Sequence, residues 1–486
     1  MADRLSEPLG GRHSLVARLA RNSLALAVGS VLASGISFFT FVAVTRNLGP
    51  AAFGDLAAAL VYLFIPAVLA DVGLTATIVR RISADPEVTE PTLGASIPLR
   101  VLVSLAITAV FVAAAFVLPF DHRVRAAVLI SSIGTLATLF TSIFTPIFQA
   151  RLAMHWPVAA TIAGRVATLG LTYAAIAAGL GFKSLVWAAV LGQLCTLVVT
   201  AALALGVMKV RLRPRIDLPY WGVLLRSGIV LGAALAVGQL YFRVDTVILA
   251  LLRSSREVGL YGASYKFLEL AVVGPYAILI SLFPTMSRFL ERERHRIRPL
   301  AQNAFDIGLV VSVPAAVLAI AFARDIITFT SGERYAGGAA ALQLLAPYIV
   351  ATFLLTPPLA LLLAAGANRT LLVVNVGLLV LNIGLNFALI PSYGFKVAAL
   401  ISTASEIVDC ILLTAVAHRV VGFLPSVRAV PVVAVATAAM VLVIVVVPAP
   451  VVALALLALL VYAAIVVAAP GAVREVVLRL AGRAPA

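Results

Sequence analysis

Residues 181–208 read GFKSLVWAAVLGQLCTLVVTAALALGVM, and residues 394–418 read GFKVAALISTASEIVDCILLTAVAH. Each opens on the same tripeptide, Gly181-Phe182-Lys183 and Gly394-Phe395-Lys396, and then stays apolar for the length of a helix. Each is preceded by Thr-Pro after a long apolar run, Thr145-Pro146 in one case and Thr356-Pro357 in the other. Farther upstream, Phe53-Gly54 matches Tyr261-Gly262, Pro66 and Pro275 fall at nearly the same place in the helices that follow, and Arg80 and Arg288 close those helices. The offsets are 208, 211 and 213 residues, so the chain contains the same unit twice.

Composition states where that unit folds. The chain is 63% hydrophobic and 12% charged, with a mean hydropathy of +1.12. A soluble domain of 486 residues needs more polar surface than that, so lipid is the expected solvent. The net charge of +16 would suggest nucleic acid in a soluble protein. Here the basic residues stand between apolar runs, where they orient the chain and meet anionic headgroups, so nucleic acid is not an expected partner. Cys195 and Cys410 both lie inside apolar segments without metal-ligand or disulfide spacing. The basic N-terminus followed by an apolar run resembles a signal peptide, but thirteen further runs follow, so it reads as a retained first helix.

A helix needs about 20 apolar residues to cross the hydrocarbon. Fourteen runs qualify, near 22–45, 55–79, 96–118, 126–149, 157–180, 184–208, 223–252, 259–286, 301–323, 339–365, 370–391, 396–418, 428–447 and 450–469. The repeat pairs the first run with the seventh, the second with the eighth, the fifth with the eleventh and the sixth with the twelfth. Six is an even number, so the halves share one orientation and are related by an axis along the membrane normal. Internal repeats of this kind are a signature of secondary transporters.

The expected fold is an all-α polytopic membrane protein of about 14 transmembrane helices, in two parallel six-helix repeats with two extra C-terminal helices. The division reads as a cytoplasmic segment 1–21, an N-lobe 22–208, a basic cytoplasmic linker 209–221, a C-lobe 222–418, extra helices 419–470 and a cytoplasmic tail 471–486. With both termini inside, 23 of the 36 Lys and Arg residues fall on the cytoplasmic side, Arg100 among them although it stands just inside the third run, nine fall outside and four lie within spans. The linker Lys209–Arg215 reads as a segment lying on the inner surface.

Catalytic signatures are missing. The chain holds no phosphate-binding loop of the ATPase type and no His-Glu-x-x-His, and its five histidines sit near span ends. No insert is long enough for a soluble catalytic domain, so no enzyme activity is expected.

Several short motifs, taken in order, carry a resemblance. They are Arg21-Asn22-Ser23, Thr45 to Gly54 (TRNLGPAAFG), Asp71-Val72-Gly73-Leu74, Val79-Arg80-Arg81-Ile82, Arg243-Val244-Asp245 and Val258-Gly259-Leu260-Tyr261-Gly262. With the helix count and the parallel repeats, they make the chain resemble the Wzx-type oligosaccharide flippases of the multidrug/oligosaccharidyl-lipid/polysaccharide exporter superfamily, over spans one to twelve. The resemblance implies two lobes around a central cavity. It also implies transfer of an undecaprenyl-diphosphate-linked oligosaccharide from the inner to the outer leaflet by alternating access, for polysaccharide biosynthesis in a bacterial inner membrane. Expected partners are that lipid-linked oligosaccharide, membrane lipids, a polysaccharide polymerase and glycosyltransferases. The alternatives are a drug/cation antiporter, which favours an acidic or aromatic cavity, and a lipid II flippase, from whose branch the Asp71–Ile82 stretch departs.

Ionisable residues inside spans are costly and are functional candidates by default. A diphosphate crossing hydrocarbon needs cations, so Arg165, Arg243 and Lys266, with Arg46 near the outer mouth, are the substrate-binding candidates. Lys266 is also three residues from Glu269 on one helical face, where the two neutralise each other in the alternative reading. Gln193 and Glu406 occupy equivalent places in the two repeats, as do Thr196 and Asp409, so acids occur there only in the second half. No cofactor is expected apart from a coupling ion. Asn382 and Asn386 are four apart on one helical face, Asp245 is a single acid in the same half, and Ser402 and Thr403 add hydroxyls. The related lipid II flippases, by resemblance, bind sodium with an acid on helix seven and polar residues on helices eleven and twelve. Asn386 stands where an acid is expected, which leaves sodium, proton or no coupling open. The other reading of the two asparagines is interhelical hydrogen bonding.

Overall fold

The computed structural model describes residues 12–71, 73–85, 88–210 and 212–469, without the side chains of 12–25, 27, 230, 231, 234 and 235. The expected N-terminal segment therefore enters the description only at Arg12, and the tail 471–486 lies outside the described residues.

The described residues form helices and no strand. Lipid offers no hydrogen bonds, so each backbone segment has to satisfy its own polar groups, and the helix does so within one span. Every apolar run of the sequence is helical, and among the described residues twelve helical stretches are long and apolar enough to cross a membrane. The seventh run is broken at Phe242–Arg243, after the 24-residue helix Leu218–Tyr241, and the helix of the thirteenth run has 17 residues.

The chain divides into two compact units. One comprises Met1–Leu48 and Asp55–Arg243, and the other comprises Gly49–Gly54 and Val244–Ala486. The division falls at the break in the seventh run, between Arg243 and Val244.

The first unit contains α1 (Arg12–Asn47), most of α2 (Pro50–Asp71), α3 (Leu74–Ala84), α4 (Thr89–Val117), α5 (His122–Ala150), α6 (His155–Ala177), α7 (Phe182–Ala202) and α8 (Leu218–Tyr241). Helices α5, α6 and α7 pack on one another, α1 lies on α6, and α3 lies on α5 and α8. The second apolar run is thus two helices. They separate at Gly73, whose φ of +71° is a left-handed conformation that costs a side-chain-bearing residue about 1–2 kcal/mol. A Cβ there would also sit 2.3 Å from the carbonyl oxygen of Gly228 on α8. An apolar core of Leu74, Ile78, Leu93, Ile147, Phe148 and Leu224 fixes this end of the unit.

The linker is hydrogen-bonded to α4. Arg215 N–H donates to the Gly94 carbonyl at 3.0 Å, and Trp221 Nε1 donates to the Ala95 carbonyl at 2.7 Å. A Cβ on Gly94 would meet the Arg213 carbonyl oxygen at 2.4 Å, so the glycine admits the linker backbone against α4. Tyr220 adds a hydroxyl contact to Thr92 at 2.9 Å and a ring face to the Arg81 guanidinium.

The second unit contains α9 (Val244–Leu252), α10 (Ser255–Ala271), α11 (Val273–Arg292), α12 (Ile297–Ala321), the short α13 (Ala323–Ser331), α14 (Ala339–Ala364), α15 (Asn368–Tyr393) and α16 (Phe395–Val421). Helix α14 is its central post and packs on α10, α11, α12 and α16. The repeat motifs find their purpose in this unit. A Cβ on Gly54 would meet the Ser255 carbonyl oxygen at 1.7 Å, and one on Gly259 would meet that of Pro50 at 1.9 Å. The glycines therefore let the first turn of α2 and the start of α10 touch backbone to backbone, the usual use of small residues between membrane helices. The extra pair, α17 (Val430–Val446) and α18 (Val451–Ala468), packs on α12 through Val433, Met440 and Tyr462. The Tyr462 hydroxyl donates to the Val310 carbonyl at 3.0 Å.

Candidate functional site

In the second unit, Asp245 lies in the first turn of α9, just after the Phe242–Arg243 break. Free N–H groups at a helix start favour a negative charge there. Asp245 is 3% exposed and accepts from four donors. Its Oδ1 receives the Thr246 N–H at 2.6 Å and the Thr246 hydroxyl at 3.2 Å. Its Oδ2 receives the Ser402 hydroxyl at 2.7 Å and the hydroxyl of the fully buried Tyr261. One turn along α16, Ser405 accepts from Asn382 Nδ2 at 3.2 Å. Asn386 Nδ2 in turn donates to Asn382 Oδ1 at 2.7 Å and to its carbonyl at 2.8 Å. Those two acceptors fix the orientation of the Asn386 amide. Its Oδ1 is then buried with no hydrogen-bond partner among the described residues.

A buried carbonyl oxygen without a donor is costly unless something positive faces it. One carboxylate, an orphaned amide oxygen and hydroxyls able to turn their lone pairs are the donor set of a hard cation. Among the described residues no group of three or more His, Cys, Asp or Glu is gathered as for a multivalent metal.

Of the five candidate cation residues, Asp245 and Ser402 share one hydrogen-bonded cluster, and Asn382 and Asn386 form a second with Ser405. Thr403 joins neither: it points to α14, where its hydroxyl donates to the Leu344 carbonyl at 2.7 Å. On a helix, neighbours in sequence diverge by about 100°, so Ser402 and Thr403 cannot both face α9. Ser405, three residues from Ser402 and on its face, is the residue of α16 that meets Asn382. Tyr261 and Thr246 belong to the Asp245 cluster. Tyr261 was legible only as a mark of the repeat, because its hydroxyl meets Asp245 through folding.

In the first unit, α5, α6 and α7 enclose a cavity of about 260 Å³. It is lined by Thr138 of α5, Thr161, Arg165 and Thr168 of α6, and Gln193 and Thr196 of α7. Its floor is a contact of two glycines. A Cβ on Gly164 would meet Thr196 Oγ1 at 1.8 Å and the Gly192 carbonyl oxygen at 2.6 Å, and one on Gly192 would meet the Gly164 carbonyl oxygen at 2.7 Å. None of the lining residues is acidic or aromatic. Gln193 and Thr196 are the positions whose counterparts in the second repeat are Glu406 and Asp409. Those two acids are 4% and 5% exposed on α16, and Glu406 accepts from the Thr352 hydroxyl at 2.8 Å.

The other cationic candidates are dispersed. Arg46 is exposed in the last turn of α1. Arg243 is half-buried, with its guanidinium 5.5 Å from the ring centre of Phe64 and 5.7 Å from that of Phe242. Lys266 pairs with Glu269 at 2.8 Å, the mutual neutralisation that their spacing allows.

Arg100, counted with the cytoplasmic residues but just inside the third run, lies inside α4 at 4% exposure. Its NH1 donates to the Ser142 carbonyl at 2.7 Å, and its NH2 donates to Thr75 Oγ1 at 2.7 Å and to Asp71 Oδ1 at 3.3 Å. It thereby bridges the end of α2 to the start of α3. No sequence spacing pairs Arg100 with Asp71, because the contact depends on how α4 packs.

Residues 19–290 match the family described as "Polysaccharide biosynthesis protein", and residues 231–388 match a second family, MatE. The chain is 21% identical over 413 residues to the probable low-salt glycan biosynthesis flippase Agl15 of Haloferax volcanii, covering 81% of this chain and 82% of that one. It is 25% identical over 193 residues to the probable flippase AglR of the same organism, covering 39% and 40%. In fold it is similar to the lipid II flippase MurJ in an inward closed conformation, with a TM-score of 0.77 at 13% identity over 94% of this chain and 99% of that one. It is also similar to an inward-facing multidrug resistance MATE family transporter, with a TM-score of 0.68 at 16% identity over 82% and 98%.

Proposed function

The chain belongs to the polysaccharide biosynthesis protein family, and from that premise we propose that it is a flippase for a lipid-linked oligosaccharide, a transporter and not a catalyst. The substrate is an undecaprenyl-diphosphate-linked oligosaccharide, moved from the inner to the outer leaflet of a bacterial inner membrane by alternating access.

The observation that carries this reading is the chemistry of the α5–α6–α7 cavity. Hydroxyls, a carboxamide and one guanidinium suit sugar hydroxyls and phosphate oxygens. A drug or cation antiporter needs carboxylates or aromatic faces, and neither lines this cavity. The isoprenoid tail has no need of the cavity, since it can stay in lipid throughout. Polymerase and glycosyltransferases, which make and consume such a substrate, are the expected neighbours.

Transport without ATP needs a second source of work, and the buried Asp245 group is proposed as the coupling-cation site, with sodium as the ion its oxygen set fits best. Arg165 is the primary diphosphate contact, while Arg46, Arg243 and Lys266 serve it along the path.

Arg165→Ala is expected to lower export of the glycan at least tenfold, with the protein still present in the membrane at its normal level. Arg165→Lys should recover part of that loss, because an ammonium restores the charge but not the paired donors. Export at the normal rate by Arg165→Ala, measured as surface glycan per cell, defeats the reading.

The excess of Lys and Arg on one set of loops supports cytoplasmic termini and a cytoplasmic linker. Arg213 is exposed in that linker. A cysteine at Arg213 in a background without Cys195 and Cys410 should resist a membrane-impermeant maleimide in intact cells and react after permeabilisation. Labelling in intact cells reverses the orientation.

A further inference from the structure

Where α16 ends and the segment to α17 begins, a second cavity of about 490 Å³ opens beside the first turn of α12. Three basic side chains from three elements line it: Arg298 at the start of α12, His418 at the end of α16, and Arg428 just before α17. It is distinct from the Asp245 group and from the Arg165 cavity, and neither part of the transport reading uses it.

The cavity is built, not merely charged. Asp306 is fully buried on α12 and holds Arg428 from behind, accepting from its Nε at 2.9 Å and lying 2.9 Å from its NH2. Gln302, 7% exposed, locks the connecting segment in place. Its Oε1 accepts the Ser426 N–H at 2.6 Å, and its Nε2 donates to the Ser426 carbonyl at 2.9 Å and to Asp306 Oδ1 at 2.7 Å. Gly422 turns the chain out of α16 with a φ of +74°, and a Cβ there would sit 3.0 Å from Arg298 NH2. The glycine therefore leaves the Arg298 guanidinium its position.

Asp306 offsets one of the two arginines. Arg298 is left as a positive charge at the open cavity, where it attracts an anion. The rim adds a second property. Leu424, a lining residue, is 65% exposed, and Val420 and Val427, within four residues of it in sequence, are 52% and 72% exposed. A ligand that matches the whole surface carries a phosphate-like anion next to an apolar tail.

We propose that this cavity binds the phosphate headgroup of an anionic membrane lipid, with Arg298 and Arg428 as its cationic contacts, His418 as a further polar contact and Leu424 against an acyl chain. Basic pockets between the inner ends of membrane helices suit such headgroups. The Lys/Arg distribution puts the end of α12 that carries Arg298 on that side. The lipid would tie α12, α16 and the appended α17 together at one point.

The test is native mass spectrometry of the purified full-length protein, titrated with phosphatidylglycerol or phosphatidylcholine in mixed micelles and, separately, with inorganic phosphate alone. Wild-type protein should retain phosphatidylglycerol in preference to phosphatidylcholine. Arg298→Gln with His418→Gln should weaken phosphatidylglycerol binding about thirtyfold, at about 1 kcal/mol for each of the two lost contacts. Both side chains are exposed, so the melting temperature without lipid should stay at the wild-type value. Gly422→Ala, which displaces Arg298 without removing a charge, should weaken binding in the same direction. Equal retention of the two lipids, or unchanged phosphatidylglycerol binding by the double variant, overturns the site. Displacement of the lipid by millimolar inorganic phosphate overturns the lipid and leaves a free phosphate as the ligand.

Discussion

Asp245→Asn is expected to abolish export while leaving the protein folded. The carboxamide keeps the shape of the carboxylate and one acceptor oxygen, which can still receive the Thr246 N–H that the native Oδ1 receives at 2.6 Å. The new NH2 then faces Tyr261 and Ser402, whose hydroxyls rotate to accept instead of donate. The charge is lost and the packing is kept. Sodium at 100 times its Kd should stabilise the wild-type protein by about 2.7 kcal/mol, and this gain should vanish in Asp245→Asn. Asp245→Ala is the structural contrast. It strips the acceptor from four donors and is expected to cost about 3–5 kcal/mol through buried groups left unpaired. The measurements are surface glycan in cells and thermal melting of purified protein with sodium or choline chloride. Normal export by Asp245→Asn, independent of sodium and pH, removes the coupling site.

Gly73→Val is expected to prevent accumulation of folded protein. A β-branched residue at φ +71° pays about 2 kcal/mol for the left-handed conformation alone. Its Cβ would lie 2.3 Å from Gly228 O, 2.7 Å from Gly232 N and 2.9 Å from Gly232 Cα, all backbone atoms that no side-chain rotation can relieve. Forcing α3 away from α8 adds about 1–3 kcal/mol of overpacking. It also disturbs the start of α3, where Thr75 is shared between Asp71 and Arg100. Gly73→Ala should show a smaller loss in the same direction. Monodisperse protein of wild-type melting temperature from Gly73→Val would mean that the break between α2 and α3 is not held at this glycine.

The fourteen helical runs, the doubled unit and the membrane as solvent were legible in the sequence. They depend on local quantities, apolar run length and the order of short motifs, and each run can satisfy its own backbone hydrogen bonds within one helix. Asn382 and Asn386 were legible as a pair for the same reason, since four residues make one turn. Other features were not, because they arise between elements distant in sequence. The Tyr261 hydroxyl meets Asp245 across 16 residues, and Ser402 meets it across 157. Helix α16 presents Ser402 to Asp245 and Ser405 to Asn382 and turns Thr403 to α14, a choice of rotation made by packing and not by the Ser-Thr dipeptide. Arg100 reads as a charge at a helix end until α4 packs against α5 and encloses it beside Ser142. Gly73, Gly164 and Gly192 are ordinary glycines in sequence, and only the approach of neighbouring backbones makes them indispensable. Thus the sequence by itself determined the solvent, the helices and their repetition, which follow from hydropathy and local hydrogen bonding. Tertiary structure alone decided which polar groups meet, because rotation and contact between helices are settled by the mutual fit of all their faces at once.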